Sequence, residues 1–175
     1  MKKLVVLLLL IPTLAMAQSS KRDSIWKPMN FFLGEWKGTS EGAPGKGNDE
    51  RSYQFVLGQR YIEVKNKSMW LPKGTSTKGE VHEDWGYISY DNARKIFVLR
   101  QFHIEGFVNQ YRLESISQDG KSIVFISENI ENIPSGWRAK ESYHLINDKA
   151  FIETFELAEP NKDFTINTKA LFTRK

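Results

Sequence analysis

The sequence contains no cysteine among its 175 residues. No disulfide can therefore cross-link the fold, and no thiolate is available as a nucleophile or as a metal ligand. Histidine is also scarce, with three residues in the whole chain. The folded state must depend on side-chain packing and backbone hydrogen bonds, and chemistry that needs several imidazoles has few residues to draw on.

Neither sign of charge dominates the chain. The 25 lysine and arginine residues and the 21 aspartate and glutamate residues give a formal net charge of +4, and the two signs are mixed along the sequence. Proteins that bind nucleic acids usually concentrate positive charge on one face. We therefore expect no nucleic-acid partner, while the oligomeric state stays open.

Long apolar runs are absent apart from one at the N-terminus. Residues 1–3 form a short segment with two lysines, residues 4–14 are mostly apolar, and residues 15–17 form a small-x-small cleavage pattern. These features are typical of a secretory signal peptide, and the run is too short to span a membrane. We predict a signal peptide over residues 1–17 and export to a periplasm or the extracellular space. We also predict a single domain without a membrane span over residues 18–175; a retained N-terminal anchor is the alternative.

Recognised catalytic motifs are absent as well. The sequence has no His-Glu-x-x-His pair and no glycine loop followed by Lys-Ser or Lys-Thr, which would mark a zinc protease and a phosphate site. The string Gly38-Thr-Ser-Glu-Gly42 has the spacing of the Gly-x-Ser-x-Gly elbow of hydrolases, but it lies in the predicted strand at Trp36 and not at a turn from a strand to a helix. We assign no catalytic residue and consider a binding protein the better interpretation, although acid–base pairs assembled in space leave no trace in one sequence.

What is present is a long series of strand-like segments. Apolar and polar residues alternate with period two and are rich in β-branched and aromatic types, which is the pattern of half-buried strands. Besides a strand at Trp36, we predict strands over residues 49–57, 59–70, 79–90, 96–103, 108–115, 122–129, 137–146, 150–158 and 164–174. Residues 24–32 are expected to hold a short helix.

Most of these segments are separated by short turns rich in Asp, Asn, Gly and Pro, such as Asp119-Gly120 and Asn147-Asp148. Short turns join antiparallel neighbours, and about ten strands in one small domain either close or split into two sheets. We predict an all-β fold, an up-and-down β-barrel of the calycin or lipocalin-like kind. Residues 42–48 are expected to form a flexible loop.

Two motifs resemble the nitrobindin family. Gly34-Glu-Trp36-Lys-Gly38-Thr-Ser-Glu-Gly42 is similar to that family's Gly-x-Trp-x-Gly-x-Gly-x-Gly opening, and His82-Glu-Asp-Trp85-Gly-Tyr-Ile-Ser is similar to its His-x-Glu-x-Gly-Phe-Ile-Arg segment. The resemblance implies a ten-stranded barrel related to fatty-acid-binding proteins. It also implies haem b as a cofactor, since some members bind it and react with nitric oxide or peroxynitrite.

The same resemblance implies a haem-ligating histidine on the last strand. That position falls near Lys169, and no histidine follows His144. Lysine ligates iron only as a neutral, desolvated amine. Lys169, His103 and His144 are therefore the candidate axial ligands.

Arg100 and Arg112 lie inside otherwise apolar strands that a short turn connects. An inward arginine in a barrel can bind a ligand carboxylate with two hydrogen bonds, whereas an outward arginine is ordinary in an amphipathic strand. We assign Arg100 and Arg112 as the anchor for an anionic group. Trp36, Trp85 and Tyr111 are candidate wall residues, with plain core as the alternative for Trp36.

The segment His82-Glu83-Asp84 has the composition of a metal site. On a strand, however, only His82 and Asp84 share a face, and the sequence does not indicate that the other histidines join them. We expect no metal site from the sequence.

Three functions remain open. The first is a carrier that binds a small, largely apolar ligand, fatty-acid-like or otherwise hydrophobic or anionic, inside the barrel. The second is a haem protein that acts on reactive nitrogen species. The third is a barrel with a filled interior and a structural or interaction role, which is compatible with this number of strands.

Overall fold

The computed structural model describes residues 23–74 and 77–175. The predicted signal peptide, residues 1–17, lies outside the described residues. The chain divides at Phe32 into a short N-terminal unit and a larger unit, Leu33–Lys175.

The N-terminal unit contains the predicted short helix. One α-helical turn over residues 23–26 runs into a 3-10 helix, Lys27–Phe32. The rings of Phe31 and Phe32 meet edge to face, with their centroids 5.5 Å apart. Among the described residues, no helix is long and apolar enough to cross a membrane.

The larger unit consists of ten strands joined by turns. In chain order the strands are β1 (Gly34–Gly42), β2 (Gly45–Val56), β3 (Tyr61–Trp70), β4 (Glu80–Asp91), β5 (Ile96–His103), β6 (Val108–Ile116), β7 (Ser122–Glu131), β8 (Arg138–Asn147), β9 (Ala150–Ala158) and β10 (Thr165–Arg174).

The ten strands close into one antiparallel up-and-down barrel. Each strand pairs with its neighbours in sequence, and β10 pairs with β1, from Trp36 opposite Arg174 to Gly42 opposite Thr168. Closure leaves no sheet edge exposed for pairing with other chains. The prediction of a ten-stranded calycin-like barrel with a short N-terminal helix is confirmed.

Each strand turns alternate residues toward the barrel interior, and the inward residues change character along the strand. On β3, inward Ile62 and Val64 are followed by inward Asn66 and Ser68, and all four are buried. Because neighbouring strands repeat this change in register, one end of the interior is apolar and the other end is polar.

Trp36 lies at the apolar end and has no exposed surface. Its ring meets Phe151 edge to face at 4.9 Å, and Phe151 stacks on Phe172 at 5.0 Å. The guanidinium of Arg174 lies 4.2 Å from the centre of the Trp36 ring. These contacts fill this end of the barrel, and Trp36 is core there rather than part of the cavity wall.

The expected loop over residues 42–48 is wrong. β1 ends at Gly42, and β2 begins at Gly45 after a two-residue turn. The backbone of β10 passes so close that a Cβ atom at Gly42 would lie 2.1 Å from the carbonyl oxygen of Asn167, and that oxygen also accepts a hydrogen bond from Ala43 at 2.8 Å. The glycines thus permit a tight hairpin and a close strand approach instead of adding flexibility.

Candidate ligand-binding cavity

The polar end of the barrel contains a cavity of about 560 Å³. Sites for small molecules usually measure roughly 300–1,000 Å³, so the space suits an organic ligand. Its mouth is rich in large apolar side chains, among them Trp70, Phe107, Ile130, Trp137, Phe155 and Leu157. Its floor is polar and includes Asp49, Arg51, Asn66, Gln101, Glu141 and Glu153.

Arg51 is the central cation of the floor. Its guanidinium makes a bidentate ion pair with Glu153, and its Nε donates to Asn66 Oδ1 at 3.1 Å. Nη1, one of the two nitrogens that pair with Glu153, also donates to the hydroxyl of Tyr53 at 3.3 Å. Burial lowers the pKa of Arg51, but Glu153, Tyr53 and Tyr143 outweigh it, so the pKa lies well above its ordinary value. Arg51 therefore stays charged, and its donors are engaged within the protein.

Asn66 links this ion pair to the next strand. Its Nδ2 donates to Asp84 Oδ2 at 2.9 Å and lies 3.4 Å from the hydroxyl of Ser68. Burial raises the pKa of Asp84, but the hydrogen bond from His82 and the nearby charge of Arg51 lower it below its ordinary value. Asp84 therefore remains ionised within the polar half of the barrel.

Two histidines stand above Asp84 in the cavity wall. His103 Nδ1 lies 3.4 Å from His82 Nε2, which itself lies 3.5 Å from Asp84 Oδ2. Hydrogen bonds to Asp84 and Glu105 raise the pKa of His82 to about 9, against the effect of burial. Burial lowers the pKa of His103 to about 4. At neutral pH His82 is protonated and His103 is neutral.

Glu141 is a buried carboxyl on the opposite wall and accepts a hydrogen bond from the hydroxyl of Tyr143. Burial, reinforced by the charge of Glu153, raises the pKa of Glu141 to about 7. This carboxyl therefore changes its charge near neutral pH, inside the space that a ligand would occupy.

The pKa of Glu141 makes a specific prediction about stability. The pKa of Glu141 in the folded state lies above its ordinary value of 4.5, so the folded protein binds this proton more tightly than the unfolded chain does. The stabilisation that results is fully present below about pH 4.5 and is lost as the pH rises through about 7. The variant Glu141→Gln keeps an acceptor for Tyr143 but cannot ionise. The free energy of unfolding of this variant minus that of the native protein should therefore increase from pH 5 to pH 8, by on the order of 3 kcal/mol.

Urea denaturation of both proteins at several pH values measures this difference. Comparison of the two proteins cancels the titration of all other groups to first order. A difference that stays constant from pH 5 to pH 8 would contradict the raised pKa of Glu141.

Several buried polar atoms of the cavity wall have no hydrogen-bond partner in the described part of the chain. Buried polar groups in folded proteins nearly always have one, so each exception needs an explanation. Four of the five atoms are oxygens of amide carbonyl or carboxyl groups. Amide oxygens and ionised carboxylate oxygens accept hydrogen bonds and cannot donate them. The atoms are Asp49 Oδ2, Asp84 Oδ1, Gln101 Oε1, Asn109 Oδ1 and Ser40 Oγ.

Arg100 and Arg112 do not face the cavity. Gln101 and Tyr111, their neighbours in sequence, are buried in the interior, so alternation places both arginines on the outer face. Arg100 donates to Ser89 Oγ at 3.3 Å, and Arg112 pairs with Glu114 at the surface. The predicted inward orientation of Arg100 and Arg112 is wrong, because period two identifies two faces but not which face is inside.

The aromatic candidates also separate. Trp85 is 55% exposed on the outer face, where Lys65 Nζ lies 4.6 Å from its ring centre. Tyr111 is fully buried, and its hydroxyl accepts a hydrogen bond from Asn109 Nδ2 at 2.8 Å. Tyr111 thus lies beneath the floor and supports a wall residue, whereas Trp85 has no place in the cavity wall.

Of the three candidate haem ligands, one lies at the cavity. Lys169 is exposed between Thr168 and Ala170, which line the interior, and His144 is exposed beside Ser122 at 3.2 Å. His103 lines the cavity and stacks on Phe107 with the ring centres 4.1 Å apart. The structure therefore brings His103 together with His82, and separates both from His144 and Lys169.

Sequence reasoning missed the charged floor formed by Arg51, Glu141 and Glu153. A signal was present, because Arg51 lies two residues before Tyr53 and Glu153 lies two residues after Phe151, which share their inward faces. A charged residue among the apolar residues of one face of a strand has two interpretations: that face points to solvent, or it lines a polar cavity inside the barrel. The second interpretation is correct here.

Comparisons with known proteins agree with this fold. A search of protein-family models and a search of curated proteins found no match. Among solved structures, Rv2717c from M. tuberculosis aligns with a TM-score of 0.65 at 14% identity, over 86% of this chain and 97% of that chain. A redesigned β-barrel aligns with a TM-score of 0.41 at 11% identity, over 83% of this chain and 92% of that chain. A de novo designed fluorescence-activating β-barrel aligns with a TM-score of 0.41 at 13% identity, over 83% of this chain and 94% of that chain.

At this level of identity the likeness to Rv2717c concerns the fold alone. The protein is a closed ten-stranded antiparallel β-barrel, a fold that is compatible with ligand binding.

Proposed function

We propose that the barrel binds a small amphipathic molecule in its polar half. The molecule's hydrogen-bond-donating head would reach the floor, and its apolar body would occupy the mouth. The observation that carries this proposal is the set of buried acceptor oxygens without partners, since a ligand with N–H or O–H donors would satisfy them.

The charges of the floor favour a donor or cationic head over an anionic one. Four carboxyl groups, those of Asp49, Asp84, Glu141 and Glu153, line the cavity together with two cations, Arg51 and protonated His82. Arg51 already pairs with Glu153, and His82 already pairs with Asp84 and Glu105. An added carboxylate would therefore lie among like charges, and a low local dielectric strengthens that repulsion.

The apolar body fits the opposite end of the cavity. Trp137, Phe155 and Leu157 line the wall near the mouth, and pockets for small organic molecules are typically lined in this way, with a few polar groups that fix orientation. The expectation of a largely apolar ligand is thus kept, whereas a fatty-acid-like carboxylate head has less support than an amine or an alcohol.

A matched ligand series tests this proposal. Decylamine, decanol and decanoate share one chain length and differ in the head group, and isothermal titration below their micelle concentrations gives each affinity. We expect 1:1 binding with decylamine about tenfold or more tighter than decanoate, since a hydrogen bond to a charged group contributes about 1.5–3 kcal/mol. Stronger binding of decanoate would contradict a donor-selective floor.

Two sets of variants locate the site. Asp49→Asn removes a buried charge without changing shape and should weaken decylamine binding about tenfold. Arg100→Gln and Arg112→Gln alter the outer face and should leave every affinity unchanged. A loss of decanoate binding in the arginine variants would instead support the sequence-based anchor.

Haem b is the alternative cofactor that the nitrobindin resemblance implies. Its iron would need His103, and its two carboxylates would need free cationic or donor groups, whereas the floor presents unpartnered acceptors. These residues do not fit haem well. A haemin titration read at the Soret band tests the alternative, which a saturable 1:1 shift lost in His103→Ala would favour over the amphipathic ligand.

Export belongs to the proposal as well. If residues 1–17 are removed during secretion, the protein meets its ligand outside the cytoplasm. Mass measurement of the protein recovered from the producing cell's exported fraction would show a chain that begins at Gln18; a chain with an intact N-terminus would support the retained anchor.

A further inference from the structure

His82, Asp84 and His103 converge at one point of the cavity wall. His82 and Asp84 lie two residues apart on β4 and share the inward face, and His103 on β5 is the direct register partner of Asp84. One nitrogen from each histidine and one carboxylate oxygen all lie within 4.8 Å of one another. The convergence depends on strand register, which the sequence did not reveal.

Two of the three spacings among these atoms match the coordination sphere of a small divalent cation, and the third, between His103 and Asp84, is within 4.8 Å. His82 Nε2 lies 3.4 Å from His103 Nδ1 and 3.5 Å from Asp84 Oδ2. Two ligands bound tetrahedrally at about 2.0–2.1 Å from Zn²⁺ are themselves about 3.3–3.4 Å apart. We propose that His82, Asp84 and His103 form a binding site for a divalent transition metal, with Zn²⁺ as the best match.

The groups around His82 and His103 support ligation. Glu105 Oε1 lies 2.7 Å from His82 Nδ1, so that nitrogen keeps a proton. A metal ion would displace the second proton, on Nε2, whose lone pair then points toward the cluster. A carboxylate in this outer position fixes the tautomer of metal-binding histidines and raises their basicity. His103 is held by its stacking on Phe107 at 4.1 Å.

An unpartnered oxygen gives an independent indication of a ligand here. Asp84 is 4% exposed, and its Oδ1 has no hydrogen-bond partner among the described residues, whereas Oδ2, the oxygen nearest His82, accepts from Asn66. A cation that binds both oxygens of this carboxylate would satisfy the free one. It would also offset the excess of carboxyl groups in the floor.

Asn109 completes the arrangement. Its Nδ2 lies 3.2 Å from His103 Nε2, while its Oδ1 is buried without a partner. If His103 ligates through Nδ1, its Nε2 carries the proton and requires an acceptor. Rotation of the Asn109 amide by half a turn would supply Oδ1 for this purpose, so metal binding is expected to select that orientation.

The donor set selects the class of metal. Two imidazoles and one carboxylate suit zinc and its neighbours in the first transition row, whereas magnesium and calcium prefer oxygen ligands alone. Three protein ligands leave the fourth tetrahedral position open. Because all three residues line the cavity, that position is accessible to water or to a bound molecule.

Titration of the chelator-treated protein with Zn²⁺ alone tests the site. We expect saturable binding with a 1:1 stoichiometry by isothermal titration, and Co²⁺ in the same site should show the intense visible absorption of tetrahedral coordination. The isosteric variant Glu105→Gln should weaken binding about 10- to 100-fold, as losses of outer carboxylates do. Asp84→Asn, His82→Gln and His103→Gln should each weaken it further.

His144→Gln is the matched control, because His144 is exposed and lies outside the cluster; its affinity should equal that of the native protein. Glu105 is 41% exposed, so its variant is expected to fold even if a buried substitution does not, and circular dichroism verifies this. The site would be overturned if the native protein showed no saturable Zn²⁺ binding. It would also be overturned if the folded Glu105→Gln and His82→Gln variants bound Zn²⁺ as tightly as the native protein. The decyl series is measured with a chelator present, so failure of the metal site and failure of the proposed ligand are separate results.

Discussion

Replacement of Glu153 by glutamine should lower the free energy of unfolding by about 3–5 kcal/mol, because it leaves the buried guanidinium of Arg51 without its counter-charge. The side chains of Arg51 and Glu153 are 7% and 12% exposed. Little solvent therefore reaches the guanidinium to replace the lost carboxylate, and its remaining hydrogen-bond partners are neutral groups of Asn66 and Tyr53. Urea denaturation at pH 7 measures the effect.

Two further variants define its origin. The double variant Arg51→Met/Glu153→Leu removes both charges and should recover most of the loss, since apolar replacement of a buried ion pair is often neutral or stabilising. Glu128→Gln breaks the surface pair with Arg94, whose side chain is 42% exposed, and should change the free energy of unfolding little, because solvent screens exposed ion pairs. Equal losses for Glu153→Gln and Glu128→Gln would contradict the structural importance of the buried pair.

Substitution of Trp36 by alanine should cost about 3–5 kcal/mol, the usual range for loss of a large buried aromatic side chain. Trp36 has no exposed surface, and its ring meets Phe151 of β9, which stacks on Phe172 of β10, the strand that pairs with β1. Those strands cannot move inward to fill the space without breaking the register of β1 with β10. Thermal and urea denaturation both report the loss.

Trp85→Ala provides the control, because it removes the same side chain from an exposed position. Its main interaction is with Lys65, and exposed cation–π contacts contribute about 0.5–1 kcal/mol. A cost for Trp85→Ala as large as that for Trp36→Ala would show that the closed end is not the main source of apolar stabilisation.

The strand pattern was readable from the sequence because each strand has one buried and one exposed face. The predicted bounds of residues 96–103 and 150–158 coincide with β5 and β9. Errors came where glycines replace side chains. The region from Gly42 to Asn48 has no alternation to read, and the close approach of Asn167 that requires a glycine lies more than a hundred residues away in sequence.

The face of a strand that points inward was harder to predict because the interior is polar at one end. Arg100 and Arg112 were placed inside as anchors, whereas their neighbours Gln101 and Tyr111 occupy that face. The cation that does lie inside, Arg51, shares a face with Tyr53. A rule that assigns the face with more aromatic residues to the interior would have found Arg51, but it would have misplaced Trp85.

The cluster of His82, Asp84 and His103 could not be predicted from one sequence. Its formation requires that Asp84 lie opposite His103, and a shift of one residue in that register would send His103 to the outer face. Register is determined by the turn between β4 and β5 and by the fit of many side chains, so it becomes visible only in the folded barrel.

The most direct test of the central claim is nuclear magnetic resonance mapping of decylamine on the isotopically labelled protein. If the polar half of the barrel is the binding site, the backbone amides that shift will include those of Asp49 and Gln101 at the floor, Asn109 in the wall and Trp137 at the mouth. Amides around Arg94 and Asp119, exposed turn residues that do not line the cavity, will change little. Shifts confined to the outer face, with the cavity residues unaffected, would contradict the assignment of the interior as the ligand site.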